Sequence, residues 1–162
     1  MDTARRELQM NVLQQFRIIY GSLRQYFREM ESCCGLPGAQ AWVLQEVEHT
    51  PGIGITELAG RLGIHQSTCS GLVDKLVGAS LLAKQRSGAD QRRIGLVLLP
   101  AGKDVLGRLP GPAEGVLPSA LAEVPVVCLK TLNINLMELI RHMPARRDRF
   151  ANTLLAEMLR DE

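Results

Sequence analysis

The sequence predicts a mainly α-helical chain interrupted by one small β-hairpin, and three observations carry that expectation. Apolar residues recur at steps of three and four along most of the 162 residues. The exception lies near residues 81–99, where two short apolar runs flank a charged segment. Glycine and proline cluster between the periodic stretches, at Gly35 and Pro37, across Thr50-Pro51-Gly52-Ile53-Gly54, and at Gly63. A hydrophobic share of 46% with 22% charged residues excludes a disordered chain.

From about Ala4 to Ser32 the stripe is Leu8, Val12, Phe16, Ile19, Leu23, Phe27 and Met30, which predicts one long helix. The stripe is narrow and flanked by arginines, so this helix is expected to pack on other helices, a partner chain's included. Ala39 to His49 predicts a second helix with Trp42, Val43 and Val47 inward. Thr56 to Leu62 predicts a third, with Thr56 as its N-cap and Leu58, Ala59 and Leu62 inside. Gly63 supplies the tight turn into a fourth helix from about Gln66 to Gly78. There Cys69, Leu72, Val73, Leu76 and Val77 form the buried stripe.

Leu81 to Arg86 reads as a strand and Ile94 to Leu99 as its return, with Ser87-Gly88-Ala89-Asp90 as the turn. Past Pro100, Val105, Leu106 and Leu109 begin a helix that Pro110, Pro112 and Pro118 are expected to break. Pro125 suits the first turn of another helix, with Leu129, Leu132, Leu136, Leu139 and Met143 as its stripe and Pro144 at its close. A last amphipathic stretch, Arg147 to Arg160, spaces Phe150, Leu154 and Met158 four apart.

The net charge of +2 says little about partners; its distribution says more. Between residues 75 and 100 the cations are Lys75, Lys84, Arg86, Arg92 and Arg93, and Asp90 is the one acid. Two short helices followed by a basic hairpin make a helix-turn-helix with a charged loop attached. That order puts one helix in a DNA major groove while the hairpin reaches the adjacent backbone or minor groove. On the outer face of the fourth helix stand Gln66, Ser67, Ser70, Gly71, Asp74 and Lys75. Small and amide side chains there allow close approach and leave hydrogen-bonding groups near base edges.

These residues resemble the winged helix-turn-helix of the MarR family of transcriptional regulators. The resemblance rests on Glu57-Leu58-Ala59 with Leu62-Gly63, Gln66-Ser67-Thr68-Cys69-Ser70, Leu72-Val73-Asp74-Lys75-Leu76, Asp90-x-Arg92-Arg93 and Leu98-x-Pro100-Ala101-Gly102. It implies a homodimeric, sequence-specific DNA-binding regulator, most often a repressor, in the cytoplasm. The first and last helices of such a dimer interlock, and many relatives leave DNA when a small aromatic acid binds between the dimer layer and the DNA-binding lobe. The corresponding segments are 1–36 as the N-terminal dimerisation helix, 37–100 as the lobe and 101–162 as the helices completing the dimer layer. Two positions depart from the pattern. Gly71 replaces a residue commonly basic in relatives, at about 1 kcal/mol of helix propensity, and Leu99 replaces the threonine that caps the next helix.

The candidate DNA-binding residues are Gln66, Ser67, Thr68, Ser70, Lys75, Lys84, Arg86, Asp90, Arg92 and Arg93. Arg92 heads them, because its planar fork bridges phosphates or enters a narrow minor groove. Lys75, Lys84 and Arg86 suit phosphates, which position without reading sequence. Asp90 repels phosphate and is expected to fix the hairpin through a neighbouring arginine or the turn amides. Ser and Thr at 67, 68 and 70 also suit a plain helix start. Tyr20, Arg24 and Trp42 are the candidates for an aromatic-ligand pocket, with core packing and a solvated arginine as the plainer account.

Cys69 reads as a core residue, Cys128 as structural, and Cys33 and Cys34 as the thiols best placed to sense oxidants. The histidines and cysteines lack metal-ligand spacing, and no catalytic set or phosphate loop is present, so neither a metal, a cofactor nor an enzymatic activity is expected. No apolar run is long enough to span a membrane, and no apolar signal follows the charged start, so no membrane partner is expected. Two alternatives stay open: a winged helix that binds protein rather than DNA, and a thiol-based regulator.

Overall fold

In a computed structural model of the chain, residues 2–87 and 89–160 are described. The elements in chain order are α1 (Asp2–Cys34), α2 (Gly38–His49), α3 (Ile55–Leu62), α4 (Gln66–Gly78), β1 (Leu82–Ser87), β2 (Asp90–Leu98), α5 (Pro100–Leu106), α6 (Val116–Glu123), α7 (Val126–Arg141), a 3-10 turn (Asp148–Asn152) and α8 (Leu155–Met158). The mainly helical class with one hairpin is as the periodicity implied. No described helix is long and apolar enough to cross a membrane.

The core gathers where α2, α3 and α4 meet the hairpin and the second half of α1. Met30, Val43, Leu44, Val47, Leu58, Cys69, Val73, Leu76 and Leu96 are each 0% exposed. Each fully buried large aliphatic stabilises the fold by roughly 1.5–3 kcal/mol, so this cluster holds the lobe together. The α1 stripe divides in two. Leu23, Phe27 and Met30 are buried in the chain's own core, whereas Leu8, Val12, Phe16 and Ile19 are exposed.

Three contacts set α3 and α4 in place. Gly63 closes α3 in the left-handed region, φ +68°, which glycine reaches without steric cost. Arg61 ties three segments: Nη1 donates to Thr50 Oγ1 at 2.8 Å, Nη2 to Glu57 Oε1 at 2.7 Å, and Nη1 lies 3.5 Å from Glu46 Oε2. The turn before α3 then joins the sheet. Gly52 N–H donates to Leu96 O at 2.7 Å, and Leu96 N–H donates to Ile53 O at 2.9 Å. Ile53 is thus a one-residue third strand on β2.

Several expectations need correction. Gly54, not Thr56, is the N-cap of α3, without a side-chain bond; Thr56 lies exposed in the first turn. The return strand begins at Asp90 rather than Ile94, because backbone pairing continues through the charged residues. Within the expected turn, Ser87 and Asp90 pair with one another, and Gly88 lies outside the described residues. Pro118 lies in the first turn of α6 instead of breaking a helix, since first-turn N–H groups have no intrahelical acceptor to lose. Pro125 is the N-cap of α7, and α7 ends at Arg141, before Pro144.

The stretch Arg147–Arg160 is not one helix. Asn152 and Thr153 are poor helix formers, and Thr153 and Leu154 adopt extended backbone between the 3-10 turn and α8. The break lets Leu154 and Ala156 bury in this chain's own core, while Phe150 and Met158 are each 44% exposed. Cys128 is exposed, against the expectation of a structural role.

Gly95 marks where the turn and β2 approach most closely: a Cβ there would meet Gly52 O at 2.6 Å. Overpacking of this kind costs about 1–3 kcal/mol. Gly95→Ala is therefore expected to lower the urea midpoint by that amount of stability. An unchanged midpoint would mean the turn and strand are not packed as described.

Candidate nucleic-acid interface

The hairpin and the helix-turn-helix enclose an open cleft of about 910 Å³. One wall is the start of α3 with Thr56, a second is Gln66 at the start of α4, and the third is the hairpin with Arg86, Arg92 and Arg93. Glu57 is the one acid among the described residues of the lining, and its carboxylate is engaged by Arg61 at 2.7 Å. The cleft thus carries three arginines with little opposing charge, which suits a polyanion.

A bulge supplies two of those arginines. Arg86 pairs with Ile94 and Ser87 with Asp90, so residues 91–93 have no counterparts on β1. Such an irregularity twists a strand and re-aims its side chains. Asp90 Oδ1 accepts the Arg92 backbone N–H at 3.1 Å, which braces the bulge from within. The acid therefore sits where the sequence suggested, bonded to a turn amide.

The other candidates are distributed as follows. Gln66, Ser67 and Thr68 are exposed in the first turn of α4, and Ser70 is half-buried. His65 is the N-cap, and its side chain does not cap the helix by a hydrogen bond. Lys75 is exposed in the last turn of α4, roughly 13 Å along the axis from Gln66 at 1.5 Å per residue. Lys84 Nζ donates to Asp74 Oδ1 at 2.9 Å, so this cation links hairpin to α4. At this exposed site the pair adds at most about 1 kcal/mol, and its geometric role outweighs its energy. Thr56 and Gln85 line the cleft and were not among the DNA-binding candidates named from sequence. Thr56 looked like a cap, and only its place between two cations distinguished Gln85.

The three ligand candidates do not share one cavity. Trp42 is half-buried and donates from Nε1 to Glu46 Oε1 at 3.2 Å. It lines a cavity of about 230 Å³ whose walls include neither Tyr20 nor Arg24. Tyr20 is 54% exposed on α1, and Arg24 is half-buried one turn further on.

A helix-turn-helix followed by a cationic hairpin defines the winged-helix class of fold. Residues 35–93 match the sequence profile of the MarR family. The fold is similar to that of a MarR family protein from Bacillus stearothermophilus, at 20% identity, TM-score 0.54, covering 85% of this chain and 96% of that one. It is similar to Bordetella bronchiseptica BpsR, whose DNA binding is regulated by 6-hydroxynicotinic acid, at 20% identity, TM-score 0.54, and coverage of 82% and 94%. It also resembles a mutant of S. aureus MepR bound to an oligodeoxyribonucleotide, at 16% identity, TM-score 0.53, and coverage of 80% and 96%. No curated protein matches the chain by sequence.

Among the thiols, Cys33 is exposed, while Cys34 is 3% exposed and donates from Sγ to Leu36 O at 3.5 Å. Cys69 is fully buried in the α4 stripe, and burial pushes its thiol up to about 11. A raised acid is protonated in the fold where the unfolded thiol has begun to ionise. Its stabilising contribution is whole below about pH 9 and is lost as the pH climbs towards about 11. Cys69 is expected to resist alkylation at pH 8 until denaturant is added. Mass spectrometry showing it modified in the native protein would contradict its burial.

Proposed function

We propose that this chain is a homodimeric transcriptional regulator, a repressor, that binds a pseudo-palindromic operator and is released by a small aromatic ligand. The observation that carries the reading is the cleft that brings Gln66, Arg86, Arg92 and Arg93 together. In this arrangement the exposed first turn of α4 enters the major groove, its N-terminal amides favouring a phosphate at the groove edge. Gln66, Ser67, Thr68 and Ser70 meet base edges, and the bulge carries Arg92 and Arg93 to the flanking backbone or minor groove. Lys75, Lys84 and Arg86 contribute phosphate contacts. Half-sites one helical turn apart, about 10 bp, follow from two-fold symmetry.

The dimer is supported by two open apolar surfaces. On α1, Leu8, Phe16 and Ile19 are 64%, 41% and 43% exposed. On α7, which has no buried residue, Val127, Ile134 and Met137 are 70%, 65% and 51% exposed. Large apolar side chains left open in this number on two helices support an interface there. Residues 1–36 and 101–162 would form the dimer layer around the lobe of 37–100. Ile19→Asp is expected to weaken association at least tenfold while leaving the helical circular dichroism intact. An unchanged dimer in analytical ultracentrifugation would remove α1 from the interface.

The direct test of the reading is Arg92→Ala in a fluorescence-anisotropy titration against selected operator DNA. Affinity is expected to fall at least tenfold, and the salt dependence to lessen by about one in slope. Equal affinity and slope would refute the wing's role. Failure of the parent protein to bind any duplex over competitor would favour a winged helix that docks on protein instead.

A further inference from the structure

The cavity of about 230 Å³ beside Trp42 lies between α1, the end of α3, the α5–α6 connection and the C-terminal tail. Phe27 and Trp42 provide aromatic surface, and Leu62, Pro118 and Leu154 provide aliphatic surface. Glu114 is the sole ionisable side chain among the described residues that line it. Gln45 steadies this carboxylate from behind: its Nε2 donates to Glu114 Oε2 at 2.6 Å, and its Oε1 accepts the Ala113 N–H at 2.9 Å. A fixed anion next to two aromatic rings, with no lining cation, repels a carboxylate and attracts a cation. The volume falls below the roughly 300–1,000 Å³ of sites for drug-sized molecules, which limits the occupant to about one ring.

We infer that this cavity is a binding site for a small, single-ring aromatic cation, an amine or quaternary ammonium, held by Glu114 and the rings of Phe27 and Trp42. The assignment refines the ligand-release reading above, and it reverses the charge that an aromatic acid would bring. The tail completes the site. Thr153, Leu154 and Ala156 form one wall, and Ala156 packs so closely on α2 that a Cβ at Gly38 would meet its Cβ at 2.9 Å and Phe27 Cδ1 at 2.9 Å.

Trp42 is the only tryptophan, so its emission reports directly on the cavity. The parent protein is titrated with benzyltrimethylammonium and, separately, with benzoate. Saturable quenching by the cation, with benzoate at least tenfold weaker, is the expected result. Glu114→Gln should weaken the cation at least tenfold without improving its discrimination against benzoate. Gly38→Ala, which crowds the tail wall, should weaken it also. Preference for benzoate, or undiminished cation binding by Glu114→Gln, would overturn the assignment. The parent comparison needs no variant, so a misfolded mutant leaves the test intact. DNA affinity with and without the cation is read in parallel by anisotropy. Quenching without DNA release would uphold the site and refute release by this ligand, whereas release without quenching would place the effector elsewhere.

Discussion

The placement of the wing depends on a pair of backbone hydrogen bonds between Ile53 and its neighbour Gly52 on one side and Leu96 on the other, 2.9 and 2.7 Å long. Two-stranded ribbons are marginal on their own in water. Here the hairpin is stitched to the turn that leads directly into α3, so hairpin and helix-turn-helix form one body. Gly95 permits the approach, since any side chain would meet Gly52. Asp74 and Lys84 add a second tie from α4 to β1. The spacing between Gln66 and the arginines of the bulge is thereby fixed within the chain itself, which would limit the ordering cost of the proposed binding.

Charge and apolar surface are divided between the two ends of the chain. The lobe has a buried apolar core and a cationic cleft, whereas α7 and the first half of α1 leave their apolar residues open. A second copy would satisfy both needs at once: it would cover the open helices and duplicate the reading head at a fixed distance. The tail couples these regions. By turning back at Thr153 it buries Leu154 and Ala156 beside α2 and walls the cavity that holds Trp42.

Much of this was legible in the residues where one period dominates. The stripe from Cys69 to Leu76 located α4 and its buried face, because a 3.6-residue repeat with one apolar side admits little else. The basic tip likewise pointed to Arg92 and Arg93. What escaped was tertiary. Thr50 to Gly54 read only as a break, since a strand of one residue has no alternation to detect. The bulge at 91–93 depends on pairing partners that side-chain pattern does not encode. Phe150, Leu154 and Met158 mimic a helical stripe, yet burial of Leu154 against the core outweighed local periodicity. Trp42 was found as a ligand candidate, but its companions Phe27 and Glu114 come from distant segments that only the fold unites.

The most direct measurement is a hydroxyl-radical footprint of the protein on the duplex that it enriches from a random pool. Two protected zones per strand, about 10 bp apart, with further protection of the minor grooves just outside them, is the pattern that paired recognition helices and outlying wings must leave. A single zone, or uniform protection without periodicity, would contradict it.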